Sequence, residues 1–220
     1  MNFKSLRDCL HSNKINKFDF IIIFSDFFKI MLKNKKISDE FCDELKDNVK
    51  YFMKFKTILL PTFNLDFYKT LRTGNDVKYV TTGYLNKFLL QNVNFFRTKN
   101  PIGNFSVVGK EVKKILDLKQ QSLFGSDSVI SYLSKNKTLG FGVGIDPDNF
   151  GWTTNHVCEE EMNVPYRFFK NFSGLNCDTN QKVEEKVFVR KLNMRLVGDE
   201  TVITKELLKK KKSKKLIIKV

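Results

Sequence analysis

Apolar positions change their period along the chain, and each change marks an element. Phe3, Leu6 and Leu10 follow helical spacing and predict an amphipathic helix over Phe3 to Ser12. Phe18 to Phe24 (FDFIIIF) is instead a short β-branched and aromatic run, which predicts a buried strand. Ser25-Asp26 follows, and either residue can cap a helix start. A second helix is predicted from about Ser38 to Met53, opened by Ser38 with Glu40 in its first turn. Thr57 to Leu60 (TILL) predicts a short buried strand that Pro61 stops. Helix and strand alternate, the pattern of an α/β sheet covered by helices.

Further along, Gly83 to Gln91 predicts a helix with apolar positions at Tyr84, Leu85, Phe88 and Leu89. Arg97 to Asn104 (RTKNPIGN) is polar and turn-rich, and a helix is predicted after it from Phe105 to Leu118. Gly125 to Ser128 (GSDS) is a turn leading into a short helix, Val129 to Ser134. Thr138 to Ile145 (TLGFGVGI) predicts a strand whose glycines suggest close approach by a ligand or a neighbouring backbone. Asp146 to Trp152 predicts a loop, Thr153 to Glu161 the start of the next element, and Arg167 to Ser173 and Val183 to Val189 two strands. No repeat and no linker divides the 220 residues, so the expectation is one domain over 1–204 followed by a lysine-rich tail over 205–220.

Composition narrows the class. With 41% hydrophobic and 29% charged residues, the chain is not largely disordered. Four cysteines without a CxxC pair do not make a disulfide scaffold, and reduced thiols are the simpler reading. The longest apolar run, Phe18 to Phe28, is broken by Asp19 and Asp26 and falls short of the ~20 residues that cross a bilayer. The opening MNFKSLRDCLHSNK lacks the apolar core of a signal peptide, so a cytoplasmic protein without a transmembrane segment is expected.

Charge is the unusual quantity. The net value is +15; Lys205 to Lys219 holds eight lysines against one glutamate, so +7 lies there and +8 in the rest. A basic balance favours anionic partners such as nucleic acid, phosphorylated metabolites or an acidic membrane surface. The alternative reading is a compositional drift, since the chain is rich in Lys, Asn, Ile and Phe together, and such a drift would raise lysine content without any function. Lys209 to Lys215 (KKKKSKK) suits polyanions without sequence preference. No aromatic RNA-binding motif, zinc finger or helix-turn-helix accompanies it, so a solvated run and no specific nucleic-acid partner are expected.

The chemistry centres on His156, one of two histidines, which follows the glycine-rich strand. Glu159 and Glu160 stand at i+3 and i+4, the offsets that place a carboxylate on the histidine's face of a helix. Such a partner sets the imidazole tautomer and raises its basicity, as a general base requires. A surface ion pair has the same spacing. A metal site is not expected, since His156 and Cys158 have no second ligand cluster, and Cys158 as nucleophile points away from His156.

Five segments occur together in order: LLPTFN (Leu59 to Asn64), FRTKNPIGNFSVVG (Phe96 to Gly109), FGSDSVISYL (Phe124 to Leu133), GFGVG (Gly140 to Gly144) and TTNHVCEE (Thr153 to Glu160). Over residues 3–173 this order resembles the aminoglycoside 3-N-acetyltransferase family. In that family a strand ending in Pro-Thr precedes Arg-Ser-x-His-Pro-x-x-Ser, and a Gly-Val-Gly strand leads to Thr-x-x-His-x-x-Glu. Here Arg97, Thr98, Asn100, Pro101, Ser106 and Gly109 fit the first motif, and Thr153, His156 and Glu159 the last. Asn100 stands where the family usually has histidine, Asn155 replaces an aliphatic residue, and the loop Asp146 to Trp152 is longer.

The resemblance implies a three-layer α/β/α sandwich with a central mixed sheet, and direct transfer of acetyl from acetyl-CoA to an amine with no metal. His156 would be the base, with Glu159 or Glu160 as its partner and the family spacing favouring Glu159; Thr62 and Thr153 would offer hydroxyls to the oxyanion. Ser25, Asp26, Arg97, Thr98, Lys99 and Ser106 would line the coenzyme A site. Thr62, Phe63, Asn64, Asp66, Asp146 and Asp148 would face the acceptor, an amine-bearing sugar. A polycationic aminoglycoside suits a basic protein less well than a nucleotide-linked amino sugar for surface polysaccharide. That acceptor is therefore expected first and antibiotic modification second, unless Asp66, Asp146, Asp148 and Glu161 build an acidic pocket. A non-enzymatic binder of nucleic acid or an anionic surface, acting through the tail, is the reading from another class.

Overall fold

The computed structural model describes residues 6–12, 14–28, 32, 35–145 and 153–192. Strand β1 (Phe20–Ser25) lies at the heart of a five-stranded sheet, parallel to β2 (Thr57–Pro61) on one side and to β6 (Thr138–Val143) on the other. Beyond β2, β5 (Phe105–Gly109) and then β4 (Phe96–Arg97) add antiparallel, giving a mixed sheet in the order β4-β5-β2-β1-β6. The parallel pairing of β1 and β2 needs a crossover, which helix α2 (Lys35–Phe52) supplies.

The sheet has a core on each face. Ile21 and Ile23 of β1, Ile58 and Leu60 of β2 and Val108 of β5 point into the first core. There they meet α1 (Leu6–Ser12), α2 and α4 (Tyr84–Asn92). Phe20, Ile22, Leu59, Phe105 and Val107 point the other way, toward α3 (Phe67–Thr70), α5 (Val112–Leu116), α6 (Val129–Ser134) and α7 (Asn155–Glu161). Burial on both faces explains why the FIII run is apolar without alternation. On α2 the buried Phe41, Cys42, Leu45, Val49 and Phe52 recur at helical spacing, while Asp43 and Lys46 pair on the outer face. Each such aliphatic side chain stabilises the fold by about 1.5–3 kcal/mol.

Two expectations change. Phe105 to Leu118 is not one helix: it is strand β5 followed by the short α5. Val107 and Val108 enter opposite cores, which only extended backbone allows, and antiparallel pairing from Phe105↔Pro61 to Gly109↔Thr57 imposes that extension. Gly109 ends the strand at φ 118, where a Cβ would stand 2.0 Å from the Lys56 carbonyl oxygen. The other change is a second sheet. The hairpin of β7 (Arg167–Asn176) and β8 (Gln181–Arg190) does not join the central sheet but pairs with the two-residue β3 (Arg72–Thr73). It covers the second core through Val187. Gly174 allows this docking, since a Cβ there would meet the Leu71 carbonyl oxygen at 2.4 Å and the Phe67 ring at 2.6 Å.

The expected loop Asp146 to Trp152 and the tail 205–220 lie outside the described residues. Among the described residues, no helix is long and apolar enough to cross a membrane.

Candidate active site

Helix α7 is short, and one buried residue, Val157, sets its rotation by entering the second core. That rotation leaves His156 half-exposed, with its backbone N–H donating to the Thr153 carbonyl at 3.2 Å. One turn on, Glu159 Oε2 lies 2.5 Å from His156 Nδ1. Glu160 turns away: its Oε2 accepts from the Ser122 hydroxyl at 2.9 Å. The two carboxylates that the spacing left open are thus separated by their contacts. Cys158 is exposed on the same helix.

Three residues to which the sequence reading gave no site role complete the cluster. Arg167, at the start of β7, puts Nη2 2.9 Å from Glu159 Oε2 and 3.0 Å from His156 Nδ1, while Nη1 donates to the Phe188 carbonyl at 3.0 Å. The Tyr166 hydroxyl donates to Glu159 Oε1 at 3.0 Å. The Phe124 ring tilts against the imidazole, with ring centroids 4.8 Å apart. Arg167 and Tyr166 come from a hairpin that returns in space, so no helical offset from His156 points to them.

Burial pushes the Glu159 carboxyl up, but hydrogen bonds from His156 and Tyr166 and the charge of Arg167 outweigh it and hold the group below its usual range. Glu159 is therefore a carboxylate that accepts from both neighbours. Where Nδ1–H donates to Glu159, Nε2 is the nitrogen that keeps a lone pair. The side chains are 36% exposed at His156, 21% at Glu159 and 13% at Arg167, so the imidazole is the most open of the three. Burial dominates at Glu160, where it raises the pKa despite the Ser122 hydrogen bond.

The Arg97 to Asn104 segment builds a different kind of site. Arg97 Nε donates to Asn104 Oδ1 at 2.6 Å, Nη1 to the Gly74 carbonyl at 2.7 Å and Nη2 to the Thr62 carbonyl at 2.8 Å. The Thr62 hydroxyl lies 2.9 Å from the same Asn104 Oδ1 and 3.1 Å from the Ser106 hydroxyl. Thr98 accepts from the Phe105 N–H, Asn64 donates to the Arg72 carbonyl, and all four of Thr62, Asn64, Thr98 and Ser106 are buried. Burial lowers the Arg97 pKa to about 10, which still leaves it charged at neutral pH. These groups hold loops together; their donors point at the protein's own carbonyls rather than at a phosphate or an oxyanion.

Other candidates are dispersed. Ser25 ends β1 with a buried hydroxyl that lacks a hydrogen-bond partner, and Asp26 is exposed beside it. Lys99 and Asp66 are exposed, the Phe63 ring stands edge-on to Phe105, and Glu161 pairs with Lys135 at 3.4 Å. Asp146 and Asp148 lie outside the described residues. Among the described residues no group of histidine, cysteine and acidic side chains is placed to hold a metal ion.

No family model and no curated protein matches the chain by sequence. Solved structures do match in shape. The aminoglycoside acetyltransferase AAC(3)-IVa superposes with a TM-score of 0.66 at 15% identity, over 96% of this chain and 79% of that one. AAC-IIIb, in a binary complex with CoASH, gives 0.65 at 16% identity over 91% and 82%. Sisomicin-bound AAC-VIa gives 0.64 at 13% identity over 95% and 87%. The fold is that of the aminoglycoside acetyltransferases. Within it, the mixed sheet, its flanking helices and the hairpin deliver His156, Glu159 and Arg167 to one place.

Proposed function

We propose that the chain is an acetyl-CoA-dependent N-acetyltransferase acting on the amine of an amino sugar. The observation that carries this reading is the half-exposed His156 held at Nδ1 by Glu159, in a fold shared with acetyltransferases of which one holds CoASH. The acceptor arrives as an ammonium, which has no lone pair. His156 Nε2 takes its proton, the freed nitrogen attacks the thioester carbonyl, and a tetrahedral intermediate forms. Collapse of that intermediate breaks the carbon–sulfur bond, the thiolate takes the imidazolium proton and leaves as the thiol, and the second proton on the new amide nitrogen passes to the regenerated imidazole and on to solvent. Glu159 keeps Nδ1–H oriented and stabilises the positive charge that His156 gains. Ser25, with its unpartnered hydroxyl, and the exposed Lys99 are the coenzyme contacts in this reading.

Two acceptor classes remain distinct. The net charge of +15 supports a nucleotide-linked amino sugar, whose diphosphate a basic protein attracts. The sisomicin complex of a structural neighbour supports an aminoglycoside. Thiol release from acetyl-CoA, followed across a panel of both classes, tests the activity and separates the acceptors. No release with any amine defeats the proposal. Truncation after residue 204 should leave turnover intact; if the tail were instead the function, that truncation and added salt would abolish polyanion binding while no thiol is released.

A further inference from the structure

Along β8, Val183, Glu185, Val187 and Val189 alternate on the face turned to the second core, where Val187 is buried and Val183 and Val189 pack against it. Glu185 breaks that row with a carboxyl. It is 4% exposed, opposite Phe172 in the register, and its Oε1 has no hydrogen-bond partner. Glu160 from α7 and Asp127 from the loop before α6 face it with like charge, and Tyr68 from α3 faces it with a phenol. Asn100 opposes these effects, yet its buried Nδ2 makes no hydrogen bond. Lys186 lies over the Phe169 ring at 4.1 Å and acts on Glu160. A carboxylate is thus poorly accommodated here, whereas a neutral carboxylic acid fits among the valines.

We propose that Glu185 is a pH-sensitive clasp: in its neutral form it docks the β7–β8 hairpin on the second core, and its ionisation loosens the hairpin and the Arg167 contact with Glu159. The hairpin is tied to the same region once more, by a bridge between Lys186 and Ser122, whose hydroxyl in turn donates to Glu160. Burial first, then Glu160 and Asp127, push the Glu185 pKa up to about 7 from an ordinary 4.5. Between those values the folded chain holds a proton that the unfolded chain has released, so stability falls as pH rises through this window and levels off above it. The clasp is independent of whether the chain transfers acetyl groups.

Thermal melts of the wild type and Glu185→Gln, which mimics the neutral acid, test it at about pH 5.5 and about pH 8.5. The variant should melt roughly 5–10 °C higher than the wild type at the upper pH and by less than half that margin at the lower. Parallel curves, or an equal offset at both values, overturn the proposal. Hydrogen exchange of the wild type, corrected for intrinsic rates, gives a second reading that needs no variant. Amides of β7 and β8 should lose protection relative to β1 between the two conditions, and unchanged relative protection overturns the clasp.

Discussion

Two arginine-centred clusters, built from similar chemistry, behave as opposites. Around Arg97, every arm of the guanidinium meets an oxygen of the protein, and the neighbouring hydroxyls of Thr62 and Ser106 are buried against each other. Around Arg167, one arm holds a backbone carbonyl while the other reaches Glu159 and His156, and the imidazole stays open to solvent. A saturated network rigidifies; a network that ends on an exposed, titratable nitrogen has chemistry left to perform. Motif order treats the Arg97 segment and the His156 motif alike as candidate site, and only their hydrogen-bond partners separate a saturated network from an open one.

The comparison breaks most visibly at His156. His156→Ala should fold normally and lower acetyl transfer by roughly 10²–10⁴, read as thiol release per folded protein. Near-normal transfer would remove the Arg167 cluster from the chemistry. Arg97→Ala, by contrast, should act on stability, costing about 2–4 kcal/mol in urea unfolding because several buried carbonyl and amide oxygens lose a charged donor. If that variant is as stable as the wild type but binds coenzyme A more weakly, the scaffold reading of Arg97 is wrong.

Arg167→Gln should be milder. Without the cation, Glu159 loses a charged partner and holds His156 less firmly, so thiol release should fall by less than in His156→Ala. A loss as large as that of His156→Ala would mean that Arg167 does more than position Glu159. The smallest effect is expected at Glu160→Gln. Its carboxyl faces Ser122, so turnover should change less than in Glu159→Gln, and a larger loss would exchange the roles of the two glutamates.

Much of the central architecture was legible in the chain. The FIIIF and TILL runs read as buried strands and the segment between them as a helix, because β-branched and aromatic residues in a run without a polar row suit a strand buried on both faces. The Ser128 cap is local chemistry and marks the start of α6, where its side chain accepts from the Ser131 N–H. Phe105 to Leu118 was misleading for an equally physical reason. Its apolar spacing suits a helix, but a partner strand some 45 residues earlier in the chain, β2, offers pairing that local sequence cannot express.

The same division runs through the site. Sequence alone determined that a histidine follows the glycine-rich strand with carboxylates at i+3 and i+4, because helical geometry follows from spacing. Tertiary structure decided which carboxylate it meets, because Val157 and Ser122 set the rotation of α7 and draw Glu160 aside. It also decided that Arg167 and Tyr166 meet Glu159, that Arg97 does not face outward, and that Glu185 is buried among valines. Each of these depends on contacts between elements distant in sequence, where burial and hydrogen-bond partners arise only once the chain has closed on itself.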